Sequence, residues 1–211
     1  NYNLDLINNG VIPIVSITGT NGKTSTSRLI YKGFENLGYF SGLAMTGGII
    51  INNEFVKKGD TTGFYSAKKV LTNPQVEVGA LETARGGILK KGLGFKNSKV
   101  AIITSLAEDH IGVDGIKDIN DLLDIKLITT REVLPEGKVI IKAEPKLYEV
   151  LQTKENLVLF NSKKNEYIEK HMKNGKEAWF VEDENVIFFD GKDKNLSLIH
   201  ISEPTRRVVI S

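Results

Sequence analysis

Short apolar runs, rich in β-branched residues, recur along the chain and alternate with helical patterns. The first is Val11–Thr18, and similar runs follow at Val76–Leu81, Val100–Thr104, Val139–Ile141 and Leu157–Phe160. Helical patterns lie between several of them, at Lys23–Leu37, Ile119–Leu134 and Pro145–Leu151. Each apolar run predicts a buried strand. Because the strands alternate with helices, the pattern predicts an α/β fold, with a mainly parallel sheet flanked by helices.

Three details refine this prediction. The first helix carries Leu29, Ile30 and Phe34 on its apolar side and ends at Gly38. The pattern weakens at Gly47–Phe55, which indicates a hairpin or an excursion from the sheet. Near the end, two short apolar runs flank Asp183-Glu184-Asn185 and predict a terminal β-hairpin; they are Trp179–Glu182 and Val186–Asp190.

The chain divides into three parts. We expect residues 1–10 to be a linker from an upstream region, since the chain lacks an initiator methionine and shows no signal peptide. Residues 11–194 are predicted to form one domain, large enough to bury a substantial core. Residues 195–211 resemble translated sequencing-adapter read-through, so we interpret them as a non-native tail and assign no chemistry to His200 or Arg206.

Composition narrows the classes of partner. The chain has 211 residues, a formal net charge of +2 and no cysteine. The absence of cysteine excludes disulfides and thiolate metal sites, and it fits a cytoplasmic protein. The near-neutral charge gives no reason to expect nucleic acid or a membrane as a partner. No apolar run approaches the roughly 20 residues of a membrane helix.

A glycine-rich segment joins the first predicted strand to the first predicted helix. It reads Gly19-Thr20-Asn21-Gly22-Lys23-Thr24. Glycines let backbone N–H groups turn toward phosphate oxygens, and the helix N-terminus adds its positive dipole end. Lys23 supplies a cation for the β- and γ-phosphates, and the Thr24 hydroxyl can ligate Mg²⁺. The segment therefore predicts a phosphate loop, although Ile17 stands where the common pattern has its first glycine. The alternative is a glycine turn beside a solvated lysine.

Four segments together resemble the Mur ligase family. They are Gly19–Thr24, Gly59–Gly63, Glu82–Leu89 and Glu108-Asp109-His110. The most specific is Glu-Thr-Ala-Arg-Gly-Gly-Ile-Leu at 82–89, which is more similar to the Mur-ligase-like part of cyanophycin synthetases than to cell-wall ligases. The resemblance covers about residues 11–190. It implies a phosphate-loop NTPase-like central domain that uses ATP and Mg²⁺, with an ATP-grasp region before it and a further Mur domain after it.

The resemblance assigns roles at the end of the run that precedes Glu82. Ligands gather at the carboxyl ends of strands in open α/β sheets, and a carboxylate there is a natural Mg²⁺ ligand. Glu82 is thus implied as a metal ligand together with Thr24; the alternative is a charge that caps the next helix. Arg85 is implied to contact a phosphate or a substrate carboxylate, or else it pairs with a nearby acid.

Two further residues are implied to serve a second metal. His110 matches a metal-binding histidine, and Glu108 and Asp109 can orient its ring; the alternative is a surface histidine. Lys126 matches the lysine that Mur ligases carry in carbamylated form, which requires an accessible neutral amine; the alternative is a solvated helix lysine. His171 lies in a basic helical stretch, which predicts a surface residue.

The pattern departs from the family after the strand at Val139–Ile141. Mur relatives continue there into Asn-Ala-Asp-Asp, whose asparagine helps to hold adenine. In this chain the stretch is Ile140-Ile141-Lys142-Ala143-Glu144-Pro145. Lys142 replaces the asparagine, which puts recognition of the nucleotide base in doubt.

The implied activity is an ATP-dependent amide ligase that works through an acyl phosphate. Lys23, His110 and Lys126 are the implied catalytic residues, and the partners are an amino acid, foremost arginine, and a peptide-like acceptor with an aspartate side-chain carboxylate. We expect a homo-oligomer for the full-length protein and no activity for the fragment alone. The alternatives are a cell-wall ligase acting on a UDP-muropeptide, another phosphate-loop NTPase, and a non-catalytic nucleotide-binding module. The lack of an Asn-Lys-x-Asp guanine motif argues against a GTPase.

Overall fold

Eleven strands form one mixed sheet in the computed structural model, which describes residues 12–108, 111–113 and 115–196. The strands are β1 Ile14–Thr18, β2 Ser41–Met45, β3 Gly48–Ile51, β4 Glu54–Lys58, β5 Val78–Glu82, β6 Ser98–Ile103, β7 Val133–Lys142, β8 Leu157–Asn161, β9 Ala178–Glu182, β10 Asn185–Phe189 and β11 Lys194–Leu196. Their order across the sheet is β11-β10-β9-β8-β7-β6-β1-β5-β2-β3-β4.

The centre of the sheet is parallel and its two margins are antiparallel. Parallel pairing joins the strands from β2 through β5, β1, β6, β7 and β8 to β9. Antiparallel pairs add β3 and β4 at one margin and β10 and β11 at the other. The helices are α1 Lys23–Asn36, α2 Phe64–Leu71, α3 Arg85–Lys91, α4 Ile119–Arg131, α5 Pro145–Leu151 and α6 Glu166–Lys173. The prediction of an α/β fold with a mainly parallel, helix-flanked sheet is confirmed.

Helices cover both faces of the sheet. Ile17 of β1 packs in one apolar cluster with Tyr31 of α1, whereas Ile14 packs in another cluster with Val70 of α2. Ile14 and Ile17 are an odd number of positions apart, so their side chains point to opposite faces of the strand. The largest cluster lies beyond β6, where Leu127 of α4 and Leu147 of α5 pack against the sheet.

The two predicted hairpins are present. The weak pattern at Gly47–Phe55 corresponds to β3 and β4, which pair in antiparallel register. The terminal hairpin consists of β9 and β10, joined at Asp183 and Glu184 with φ of 50° and 62°. Positive φ at both central residues is the geometry of a tight hairpin turn, because its twist matches that of the flanking strands.

One side chain in the first helix is misassigned by its pattern. Leu29 is 74% exposed, so its prediction as a member of the apolar side is wrong. The buried residues of α1 are Ser27 and Tyr31, one helical turn apart, with Ile30 and Phe34 packed beside them. The stripe that faces the sheet is therefore centred on a serine and a tyrosine, which hydrophobicity alone does not select.

The prediction of His171 as a surface residue is also wrong. Its side chain is fully buried on α6, and its Nε2 lies 3.1 Å from the Leu157 carbonyl oxygen. The ring packs edge-on against Tyr148, with 6.0 Å between centroids. Ile168 and His171 form the inward face of α6, while the lysines that made the stretch look basic lie on the outer face. Burial lowers the pKa of His171.

None of the helices in the described segments is long and apolar enough to cross a membrane.

Candidate active site

The predicted phosphate loop leaves the carboxyl end of the central strand β1. This strand is flanked by β5 on one side and β6 on the other, both parallel to it. After α1 the chain enters β2, which lies beyond β5, whereas β6 lies on the opposite side of β1. The chain connections on the two sides of β1 therefore run in opposite directions along the sheet. In open α/β sheets, ligands bind in the crevice formed at such a switch point.

Two glycines set the shape of the loop. Gly19 has φ of 143° and Gly22 has φ of 86°, conformations that residues with a Cβ rarely adopt. Gly22 is the N-cap of α1, where no side chain caps the helix and the first turn holds no acidic residue. The first N–H groups of α1 thus lack intrahelical partners at the positive end of the helix dipole. The Lys23 ammonium reaches back over the loop and donates to the Thr20 carbonyl at 2.8 Å.

The loop rests on the segment that follows β6. Thr104 donates its hydroxyl to the Asn21 carbonyl at 2.6 Å, and the Ser105 hydroxyl accepts from the Asn21 N–H at 2.9 Å. The Thr20 hydroxyl accepts from the Ala107 N–H at 3.0 Å. The sequence interpretation did not assign Thr104 or Ser105 any role. The feature that could have identified them is their position at the end of β6, a strand that pairs with β1, because side chains there lie close to the loop.

Glu82 is the last residue of β5 and lies beside the loop. It is only 3% exposed. Its Oε2 accepts from the Thr24 hydroxyl at 2.9 Å and from the Thr46 N–H at 3.1 Å, and its Oε1 accepts from the Thr46 hydroxyl at 2.8 Å. Thr46 follows β2 at the same edge of the sheet, and sequence reasoning missed it. Glu82 and Thr24, predicted to share a metal, are thus in direct contact.

The surroundings of Glu82 fit a divalent cation. An ionised carboxylate offers about four acceptor positions, and the three hydrogen bonds leave capacity for one more contact. No lysine or arginine of the described segments pairs with Glu82. A buried, unpaired carboxylate is costly, and a cation bound beside it removes that cost.

The described residues offer few other protein ligands. They contain no group of three or more histidine, aspartate or glutamate side chains arranged around a metal. The residues present fit Mg²⁺ bound by one carboxylate, one hydroxyl, phosphate oxygens and water, which is the usual way proteins hold this ion. His110, predicted to bind a second metal, and Asp109, predicted to orient its ring, lie outside the described residues.

A cavity of about 170 Å³ joins the loop to two other predicted site residues. Its walls are Gly19, Thr20, Lys23, Ala84, Arg85, Gly86, Leu122 and Lys126. Lys126 is 4% exposed, so it is a buried residue and not the solvated helix lysine that its pattern alone allows. Arg85 begins α3 and donates to the Val113 carbonyl at 3.2 Å. Three cationic side chains from three different helices therefore line one small cavity.

Lys142 lies at the carboxyl end of β7 and is paired with an acid. Its ammonium contacts Glu144 Oε1 at 2.6 Å, and Glu144 Oε2 accepts from the Leu106 N–H at 2.9 Å. Lys142 and Glu144 thus connect the end of β7 to the segment after β6, which also holds the phosphate loop.

Comparisons with known proteins agree with this geometry. The chain is 39% identical, over 169 residues, to the cyanophycin synthetase of Nostoc sp. (strain PCC 7120); the match covers 79% of this chain and 19% of that protein. The chain thus spans about a fifth of the length of this relative.

Two solved structures share the fold. The structure of a UDP-N-acetylmuramoyl-L-alanyl-D-glutamate–2,6-diaminopimelate ligase superposes with a TM-score of 0.62 at 17% identity, covering 84% of this chain and 36% of that one. The structure of MurF ligase from Thermotoga maritima in complex with ADP gives a TM-score of 0.56 at 15% identity, covering 92% of this chain and 42% of that one.

A family model describes the same region. The model of the Mur ligase middle domain matches residues 17–204, which include the phosphate loop, Glu82 and Lys126. The match extends over most of the chain, and the sheet order, the loop and the strand-end carboxylate lie within it. The chain belongs to the Mur ligase middle domain family.

Proposed function

We propose that this chain is the ATP-binding domain of an ATP-dependent amide ligase that works through an acyl phosphate. The observation that carries the proposal is the contact between Thr24, at the start of α1, and the buried carboxylate of Glu82, beside a glycine loop that holds Lys23. Family membership and the ADP complex of the related MurF support ATP as the nucleotide.

The chemistry follows from the charges that must meet. A substrate carboxylate attacks the γ-phosphate of ATP, so two anions approach each other, and an acyl phosphate and ADP form. An amine then attacks the acyl carbon, and phosphate leaves from the tetrahedral intermediate. Lys23 and the loop N–H groups supply fixed positive charge for the transferring phosphoryl group. Mg²⁺ held by Thr24 and Glu82 would add charge neutralisation at the phosphate oxygens.

The other predicted site residues take supporting roles in this proposal. Arg85 and Lys126 line the cavity beside the loop, where Arg85 binds a phosphate or the substrate carboxylate in a bidentate manner. Lys126, in carbamylated form, and His110 would hold a second divalent metal, which would add positive charge beside the reacting groups. Gly19, Thr20, Asn21 and Gly22 form the loop around the phosphates. Because the Thr20 and Asn21 N–H groups donate to Ser105, we assign the phosphate contacts to the N–H groups at the start of α1.

We propose arginine as the amine and the side-chain carboxylate of an aspartate-containing peptide as the acceptor. The identity of 39% to a cyanophycin synthetase favours this pair over the UDP-muropeptide of a cell-wall ligase. We also propose that the full-length protein is cytoplasmic and forms a homo-oligomer.

The test is replacement of Lys23 by alanine in the intact enzyme that carries this chain. We expect ATP-dependent phosphate release to fall by roughly 10²–10³-fold or more, because one electrostatic contact to the transition state contributes about this much. Circular dichroism and the unfolding midpoint should stay close to those of the wild type.

The matched control is Lys32→Ala on the outer side of the same helix, where Lys32 pairs with Glu35. This variant should keep normal turnover. Near-normal phosphate release by Lys23→Ala would refute the phosphate loop and, with it, the ligase.

A further inference from the structure

A second cavity, of about 450 Å³, adjoins the one beside the phosphate loop. The two cavities share Ala84 and Gly86, at the start of α3. The larger one is bounded by the end of β4, by the first turn of α2 and by the last turn of α3. A ligand that enters the larger cavity can therefore extend toward Lys23 without leaving the surface of the protein.

Three lysines from two separate elements line this second cavity. They are Lys57 of β4 and Lys90 and Lys91 of α3. Neither Lys57 nor Lys90 has a carboxylate partner in the part of the chain that the structure describes. Lys91 donates to the Tyr65 hydroxyl at 2.7 Å, and this hydrogen bond, together with the positive charge of Lys91, lowers the pKa of Tyr65. The wall of the cavity is therefore cationic and largely uncompensated.

The single acidic residue in the wall, Asp60, offsets only one of these three positive charges. Asp60 accepts from the Thr62 hydroxyl at 2.8 Å and from the Thr62 N–H at 3.3 Å, so its carboxylate is used within its own turn. The first turn of α2 faces the same cavity through Phe64, Tyr65 and Ser66. Gly63 caps this helix without a side-chain hydrogen bond, and its first turn holds no acidic residue. Its helix dipole adds to the positive potential of the lysines.

We propose that Lys57, Lys90 and Lys91 bind a second carboxylate of the acceptor, one that does not react. This inference rests on the proposed function. The reacting carboxylate must lie in the smaller cavity, near Lys23 and the γ-phosphate. The two cavities are continuous at Ala84 and Gly86, so one acceptor can place its reacting carboxylate in the smaller cavity and a second carboxylate in the larger one.

This geometry selects a class of acceptor. A peptide that ends in aspartate carries two carboxylates on neighbouring carbons, one on its side chain and one at its terminus. The side-chain carboxylate enters the smaller cavity, and the terminal carboxylate remains with the lysines. A monocarboxylate acceptor leaves the lysines without a partner and binds more weakly. The three lysines are thus specificity-determining residues.

The experiment measures the KM of two acceptors in the intact enzyme that carries this chain. One is an oligopeptide that ends in aspartate, and the other is the same peptide with its terminal carboxylate amidated. We expect the amide to have the higher KM in the wild type. Lys57→Gln and Lys90→Gln should each raise the KM of the acid by roughly 5-fold and the double variant by about 25-fold, in line with single charge contacts at exposed sites. The KM of the amide and that of ATP should not change.

Lys69→Gln on α2 is the matched control, since Lys69 is an exposed lysine nearby that does not line the cavity. It should leave both acceptors unaffected. An unchanged KM for the acid in the double variant, or an equal rise for the acid and the amide, would overturn the inference while the ligase stands. If the wild type releases no ATP-dependent phosphate with either peptide, the proposed function fails, and this inference fails with it.

Discussion

Replacing Gly19 by alanine should damage the phosphate loop far more than the size of one methyl group suggests. A Cβ at this position would lie 2.0 Å from Thr104 Oγ1 and 3.0 Å from the Ser105 nitrogen. Gly19 also has φ of 143°, a conformation essentially confined to glycine. The methyl group therefore cannot be accommodated by a side-chain rotation alone, and either the loop or the end of β6 must move.

The magnitude follows from the contacts that would be lost. The Thr104 hydroxyl lies 2.6 Å from the Asn21 carbonyl oxygen and 3.1 Å from the Thr18 carbonyl oxygen, so its single proton is shared between these two acceptors. Loss of this hydrogen bond costs about 1 kcal/mol, and the backbone strain costs about 1–3 kcal/mol. We therefore expect a loss of about 2–4 kcal/mol in the free energy of unfolding. Misplaced loop N–H groups should lower turnover in the intact enzyme by roughly 10²-fold.

Urea denaturation of the 211-residue chain, followed by circular dichroism, measures the stability, and ATP-dependent phosphate release by the intact enzyme measures the function. Gly33→Ala is the matched control, because Gly33 lies inside α1 with nothing within 4 Å of the added Cβ. This variant should stabilise the chain by about 0.5–1 kcal/mol, since alanine loses less backbone entropy than glycine in a helix. Normal stability and normal turnover of Gly19→Ala would refute the close approach of the loop to Thr104.

Two further predictions concern buried polar groups. Burial lowers the pKa of His171 below its unfolded value near 6.5, so its contribution to stability is present above about pH 6.5 and is lost as the pH falls. Urea midpoints between about pH 7.5 and 5 should therefore drop more steeply for the wild type than for His171→Gln, and equal slopes would contradict this. Tyr31 accepts from the Asn53 N–H at 2.7 Å, so Tyr31→Phe should cost about 1–3 kcal/mol and speed hydrogen exchange at Asn53. The control is Tyr39→Phe, at a residue that is 46% exposed, whose free energy of unfolding should stay within about 0.5 kcal/mol of that of the wild type. A similar loss of stability in both variants would refute the contribution of the buried Tyr31 hydrogen bond.

The parts of the fold that could be predicted are those with long, uniform patterns. The central strands are apolar on both sides because helices cover both faces, and such runs are visible in a sequence. Pro145–Leu151 begins at a proline and was predicted with the bounds that the structure has. The helix α2 was not predicted, and α3 and α6 were predicted without bounds, as the helix after Glu82 and the basic helical stretch around His171. Each has only seven or eight residues, so the helical period repeats about twice and gives a weak signal.

The two wrong predictions of side-chain burial, at His171 and Leu29, had a different cause from the missed helices. His171 and Leu29 were assigned from local composition, yet burial is decided by the direction in which a helix face meets the sheet. His171 lies three positions after Ile168 and on the same face of α6, so it is buried among apolar neighbours despite its basic surroundings. Leu29 lies between the inward positions of Ser27 and Tyr31 and points to solvent.

The candidate site also contains residues that the sequence could predict and residues that it could not. The loop and Glu82 could be found because they are contiguous motifs at strand ends. Thr46, Thr104 and the lysines of the second cavity could not, since they are spread over β4, α3 and the segments after β2 and β6, and each has an ordinary local pattern. Only the order of the strands brings them to one edge of the sheet. Lys126 was singled out through the family resemblance, because its own pattern is that of an ordinary helix lysine. In the structure its side chain is only 4% exposed.

The shortened loop and the position of Glu82 are connected through β1. Ile17, which stands where a longer loop would have its first glycine, is a fully buried strand residue in register with Glu82. The Thr83 N–H donates to the Ile17 carbonyl at 2.7 Å, so the sheet continues to the very base of the loop. Because the loop begins only two residues later, Thr24 at the start of α1 stays within hydrogen-bonding distance of the carboxylate at the end of β5. The contact between Thr24 and Glu82 is therefore a consequence of where the strand ends, and the hydrogen bonds of Thr104 and Ser105 to Asn21 then hold the short loop in its shape.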